Sequence, residues 1–131
     1  MKTKSSSAHR GLLAGGNWII DRVKLINRYP PPEQLANILA ETNGTGGGPY
    51  NVLMDLAQSG APFPLIAAGL VGQDDNGAQI LAHCRRQKID VRYLNQTPKA
   101  VTSYTDVMTE RASGRRTFFH ARGANVLWAG V

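Results

Sequence analysis

The sequence predicts an α/β fold with a mostly parallel sheet, and three observations carry that prediction. Pro64-Leu65-Ile66-Ala67-Ala68-Gly69-Leu70-Val71 is apolar throughout, the pattern of a central strand covered on both faces. A glycine-rich run, Thr45-Gly46-Gly47-Gly48-Pro49-Tyr50-Asn51-Val52, opens into a helical pattern. A tight turn, Gly72-Gln73-Asp74-Asp75-Asn76-Gly77, opens into a second one. Strands alternating with helices in this way build parallel βαβ units.

Taken in order, Gly11 to Ala14 is short and apolar and runs into Gly15-Gly16-Asn17, which reads as a buried first strand entering an open loop. Trp18 to Ile26 alternates. Ile20, Arg22, Lys24 and Ile26 fall on one side, and Ile19, Asp21, Val23 and Leu25 on the other. The second side is apolar except for Asp21. A carboxylate on an apolar face is costly unless it is paired, solvated or used. Asp21 is therefore either paired, with Arg22 or a backbone N–H, or an acceptor for a ligand. Tyr29-Pro30-Pro31-Pro32 breaks secondary structure. Leu35 to Thr42 fits a short helix or a strand, and a strand over Ile38–Thr42 is the preferred reading.

The glycine run comes next. Three glycines free the backbone to approach a neighbour closely or to take φ > 0. Pro49 suits a first helical turn. Val52, Leu53, Leu56 and Ala57 give the helix an apolar face, and Gly60 is a natural stop. The stretch reads equally as a tight turn before a capped helix or as a ligand loop. After the central strand, a helix over Gly77–Gln87 buries Ile80, Leu81 and Cys84. Asp74 and Asp75 at its start and Arg85, Arg86 and Lys88 at its end complement the helix dipole. Ile89-Asp90-Val91 leads into a short extended piece at Tyr93-Leu94. Val101–Glu110 and Arg115–Ala121, around a turn holding Gly114, read as a hairpin. Gly123 to Trp128 reads as the entry to another helix.

The bulk numbers restrict the function classes. The chain has 131 residues, 42% of them hydrophobic, which fits one modest globular unit or a piece of a larger one. No apolar run approaches the roughly 18 residues of a membrane helix. Residues 1–10 are polar and basic, lack the pattern of a secretory signal, and are expected to be a disordered tail before a domain at 11–131. The single cysteine, Cys84, excludes an internal disulfide and fits a cytoplasmic setting. The net charge is +6, but the basic residues are dispersed and no stacking pattern of aromatics runs among them, so nucleic acid is not the expected partner. An electropositive protein also suits an anionic substrate.

No metal-ligand spacing joins His9, His83 and His120, and no nucleophile elbow is present. The glycine run lacks the lysine of a P-loop. Cys84 falls on a helix's apolar stripe and reads as an inert thiol. What remains is a polar set that loops at strand carboxyl ends bring together: Asn17, Asp21, the Gly46–Gly47 backbone and Asn51. Carboxylate, amide and bare backbone N–H groups suit a polyhydroxyl ligand.

On these residues the chain resembles the PfkB, or ribokinase-like, family of sugar and nucleoside kinases. Gly15-Gly16-Asn17-x-x-x-Asp21 resembles the family's opening strand, and Gly46-Gly47-x-x-x-Asn51 its glycine-pair signature. Gly69-Leu70-Val71-Gly72-Gln73-Asp74-Asp75-Asn76-Gly77 is similar to its G-x-V-G-x-D-x-x-G segment. Thr102, Gly114-Arg115-Arg116-Thr117 and Gly123-Ala124-Asn125 resemble its later strand pair and closing segment.

The resemblance implies a ribokinase-like three-layer sandwich, here truncated, with a small β-sheet lid supplied by Trp18–Ile26, Ile38–Thr42 and the 101–121 hairpin. It implies ATP- and Mg²⁺-dependent phosphorylation of a hydroxymethyl group on a sugar or nucleoside, and pairing of two copies through the lid. Asn17, Asp21, Gly46, Gly47 and Asn51 would hold substrate hydroxyls. Gly48-Pro49-Tyr50 stands where such kinases often have Lys-Gly-Ala, so Tyr50 is expected to narrow the pocket. The family's G-A-G-D segment, with its catalytic Asp, is absent from these residues. No catalytic residue is therefore expected in the chain, nor tight binding of ATP and Mg²⁺. A non-catalytic sugar-binding module that keeps the lid is the alternative.

Overall fold

The computed structural model describes residues 10–131, so the tail expected at 1–10 lies outside the described residues except for Arg10. Seven strands, two helices and one 3-10 turn follow one another: β1 Leu12–Gly15, β2 Ile19–Ile26, β3 Ile38–Gly46, α1 Gly48–Gln58, β4 Leu65–Gly72, α2 Asp75–Arg86, β5 Asp90–Thr97, β6 Tyr104–Glu110, β7 Arg116–Ala121 and the 3-10 turn Gly123–Leu127. The strands form a parallel sheet of order β1-β4-β5 and a second sheet of order β3-β2-β6-β7. In the second sheet β2 and β6 are parallel, flanked by antiparallel β3 and β7.

The apolar run around residue 68 is the central strand of the parallel sheet, as its composition requires. One face receives both helices. Tyr50, Leu53 and Met54 of α1, Ile80, Leu81 and Cys84 of α2, and Leu65, Ala67 and Val71 of β4 form one buried cluster with Trp18. Side chains alternate along a strand, so Ala68 faces the other way, where a methyl added at Gly15 would meet both Ala68 and Trp128. A helical layer thus covers one face of the parallel sheet, and the four-stranded sheet is built from the segments expected to form the lid.

Several boundaries differ from expectation. β3 extends to Gly46 rather than ending at Thr42, because its pairing with β2 continues to the end, Ile19 facing Gly46. The residues Thr45 and Gly46 therefore belong to a strand, and Gly47 alone, at φ 102, makes the turn into α1. The buried face of α1 is Pro49, Tyr50, Leu53 and Met54, while Val52 points outward at 46% exposure. α2 begins at Asp75, two residues early, because Asp74 caps it: its carboxylate accepts from the Gly77 N–H at 2.8 Å. The extended piece near Tyr93 is one eight-residue strand. In β2, the buried residues are Ile20 and Ile26, on the side that carries Arg22 and Lys24. Those charges have partners on their own face. Lys24 pairs with Asp106 at 3.2 Å, and the Arg22 guanidinium lies 4.2 Å over the Tyr104 ring.

The motif from Gly72 to Gly77 has a structural cause. The Thr102 hydroxyl accepts from the Gly72 N–H at 2.9 Å and donates to the Asp74 carboxylate at 2.6 Å, while the Thr102 N–H donates to the same carboxylate at 2.8 Å. An added methyl at Gly72 would overlap the Thr102 nitrogen, and one at Gly77 the Gly72 carbonyl. Burial opposes ionisation of Asp74. The Thr102 hydroxyl, the Thr102 N–H and the Gly77 N–H together outweigh it and hold the carboxyl below its usual value. This knot ties the start of α2 to the segment entering β6.

Candidate functional site

The two sheets meet where β1 hands over to β2, and Trp18 fixes that corner. Its ring is fully buried and donates its indole N–H to the Ala68 carbonyl at 2.8 Å. It lies so close over Gly69 that a methyl there would overlap the indole. Asn125, 107 residues away, grips the same residue by its backbone. The Trp18 N–H donates to Asn125 Oδ1 and Asn125 Nδ2 donates to the Trp18 carbonyl, both at 3.2 Å. The neighbouring residue, Asn17, is thereby held in place. Tyr50, expected to narrow a ligand pocket, belongs instead to the core. It is 9% exposed, stands edge-on to Trp18, and places its hydroxyl 2.7 Å from His83 Nδ1.

Asn17 lines a cavity of about 400 Å³ together with His120, Arg122, Asn125 and Val126. On the lid side, Asp21, Thr105 and His120 stand in register across β2, β6 and β7, so their side chains share one face. The Thr105 hydroxyl and His120 Nδ1 are 2.8 Å apart. His120 thus joins the Asp21 row to the cavity.

The glycine pair is explained by the oxygens above it. An added methyl at Gly46 would overlap the Asp21 carboxylate, and one at Gly47 the Asn17 carbonyl. Only glycine lets β3 and the start of α1 come this close. Asp21 is therefore not paired with Arg22, which occupies the opposite face. Burial pushes the Asp21 carboxyl above its usual value, opposed in part by the nearby His120. The arrangement is unlike a phosphate cradle. A carboxylate and a carbonyl oxygen crowd the glycines, and both would repel phosphate oxygens. Among the described residues, no three His, Cys, Asp or Glu side chains gather to hold a metal ion. The glycine pair, crowded by these oxygens, does not fit the phosphates of ATP.

Of the five residues singled out in the sequence, the structure brings Asn17, Asp21, Gly46 and Gly47 to this corner. Asn51 is exposed in the first turn of α1. Its N–H donates to the Gly47 carbonyl at 3.0 Å. Of the five, Asn17 alone lines the cavity, and Asp21 connects to it through the row that ends at His120. Thr105, His120 and Arg122 were not candidates by sequence. The signal for His120 lies in the hairpin register, which pairs Thr109 with Arg116 and hence Thr105 with His120. Cys84 is fully buried, and burial pushes its thiol up to about 11 against a small opposing pull from Arg85, so it is unreactive at neutral pH. No helix among the described residues is long and apolar enough to cross a membrane.

Comparison with known proteins agrees with this fold. A family model described as pfkB family carbohydrate kinase matches residues 16–130. No curated protein sequence matches the chain. Among solved structures, ribokinase from Arabidopsis thaliana, complexed with ribose and ATP, is similar with a TM-score of 0.76 at 20% identity, over 88% of this chain and 36% of that one. Ribokinase from Giardia lamblia is similar with a TM-score of 0.75 at 24% identity, over 93% of this chain and 36% of that one. A nucleoside kinase from Methanocaldococcus jannaschii, described as an archaeal member of the ribokinase family, gives 0.75 at 15% identity, over 88% and 38%. The chain spans little more than a third of the length of these structures.

Proposed function

The chain belongs to the pfkB family of carbohydrate kinases, and on that premise we propose that residues 10–131 are the acceptor-binding part of an ATP-dependent sugar or nucleoside kinase. The observation that carries this reading is the Asp21 carboxylate, seated on the bare Cα of Gly46 and in line with Thr105 and His120. A partly buried carboxylate with no cationic side chain bound to it among the described residues is a strong acceptor for hydroxyl groups. Asn17, Asp21, Gly46, Gly47 and Asn51 are assigned to the substrate hydroxyls. Asn17 supplies an amide that both donates and accepts, and the cavity beside it has the room a sugar needs.

Phosphoryl transfer works by positioning the nucleophile and neutralising charge on the transferred group. In this reading residues 10–131 supply the positioning. A base for the hydroxymethyl group, and the groups that hold ATP and Mg²⁺, come from elsewhere. The crowded glycine pair, with oxygens where a phosphate cradle presents N–H groups, supports that division. Two copies would pair through the lid, whose Phe118 and Phe119 are 58% and 59% exposed.

The test has two arms. The purified chain is screened against sugars and nucleosides by thermal shift, and then assayed for phosphoryl transfer from ATP. Stabilisation by a sugar or nucleoside, lost in Asp21→Ala, together with no turnover, is the expected result. Turnover by the 131-residue chain that Asp21→Ala abolishes would refute the division of labour.

A further inference from the structure

We infer that the site takes a polyhydroxyl substrate carrying an anionic group, a carboxylate or a phosphate, held at the β7 end by Arg122 with His120 beside it. This rests on the acceptor-binding reading above and narrows its substrate class.

The cavity beside Asn17 is electrically lopsided. Two of its five lining residues, His120 and Arg122, carry nitrogen donors able to bear positive charge, and no acidic residue lines it. Arg122 is exposed and makes no ion pair among the described residues, and its carbonyl, not its guanidinium, is what Ser103 engages. The carbonyl contact, with the Ala124 N–H donating to Val101 at 2.7 Å, anchors the backbone at the start of the 3-10 turn. Arg122 is thus a free cation on a fixed stem. A guanidinium presents a planar fork of N–H donors that matches a carboxylate or phosphate edge.

His120 has one ring nitrogen committed. With Nδ1 against the Thr105 hydroxyl, the ring is oriented and Nε2 remains for a ligand. The acidic member of the row, Asp21, is on β2, two strands from β7. Strands sit about 4.8 Å apart, so the two ends are separated by roughly 10 Å. A ligand bridging them meets an acceptor for hydroxyls at one end and donors for an anion at the other. A neutral sugar would leave Arg122 unused, whereas an acidic or phosphorylated one gains a charge-assisted pair.

Matched pairs of probes test this by calorimetric titration of the chain: gluconate against glucitol for a carboxylate, and glucose 1-phosphate against glucose for a phosphate. At least one anionic member is expected to bind about tenfold or more tightly than its neutral partner. Added salt should narrow that gap. Arg122→Gln should abolish the gap, and Arg122→Lys should restore part of it, while both variants keep the thermal unfolding of the parent. Equal binding of both members of each pair, lost in Asp21→Asn, would overturn the anionic class and leave the acceptor-binding reading standing. No binding of any probe would overturn both. A gap that survives Arg122→Gln would also overturn the assignment.

Discussion

Asp21 is held in a position that costs stability. Burial raises its carboxyl's pKa above the ordinary 3.8, only partly offset by His120. A raised carboxylate favours the fold while neutral, so that contribution is complete below the unfolded value and is lost as pH rises through the folded one. At neutral pH the ionised group therefore weighs against folding. Asp21→Asn is expected to raise the midpoint of thermal unfolding at pH 7, with the difference shrinking as pH falls toward 4. The same variant should weaken sugar binding about tenfold to a hundredfold, the worth of roughly 1.5–3 kcal/mol for a hydrogen bond to a charged group. Calorimetric unfolding and ligand titration on one preparation check both halves. Gly46→Ala is the complementary change, since its methyl would displace the carboxylate without altering charge. It should lose binding as Asp21→Asn does, and should not gain stability. Asp21 was legible in the sequence because a carboxylate among Ile19, Val23 and Leu25 breaks the alternation. His120 was not, because its role depends on a cross-strand partner, and sequence spacing alone does not tell which residues of two strands stand opposite.

At the scale of elements, the linkages that hold the site together are long-range. Thr102 joins Gly72 and Asp74 to the entry of β6. Thr102→Val keeps the volume and removes the hydroxyl, leaving the Gly72 N–H unpaired in a buried place, and should cost about 1–3 kcal/mol. The Asp74 carboxyl sits below its ordinary 3.8, because three hydrogen bonds outweigh its burial. Its stabilising contribution is present above that value and lost as pH falls from there through the folded pKa. The parent should lose stability below about pH 4 more steeply than Thr102→Val, by denaturant unfolding at pH 7 and pH 3. Asn125 is the second linkage. Asn125→Ala frees both backbone groups of Trp18, and should lower stability by about 1–3 kcal/mol and loosen Asn17, weakening binding with it. The elements themselves were largely readable, since β4 and both helices announce themselves by apolar runs and periodicity. The bounds of β3 and α2 were not. Pairing to β2 carries β3 through Gly46, and a cap supplied by Asp74 starts α2 early. Composition shows neither.

Among its described residues the whole molecule exposes apolar side chains at sheet edges and on the lid. β1 lies at an edge of its sheet, with Leu13 45% exposed, and the 3-10 turn carries Val126 and Leu127 at 61% and 49%. The lid bears Phe118 and Phe119. Exposed apolar surface and a bare strand edge favour association. The isolated chain is expected to associate in a concentration-dependent way by sedimentation. Phe118→Glu should reduce association if the lid mediates it, and Leu13→Glu if the β1 edge does. The central claim concerns the corner where both sheets meet, and backbone NMR of the labelled chain during titration with ribose and with gluconate tests it most directly. The account predicts saturable shifts for at least one ligand at Asn17, Asp21, Gly46, Gly47 and His120, absent in Asp21→Asn. Saturable shifts confined to another part of the chain, or none at all for either ligand, would contradict it.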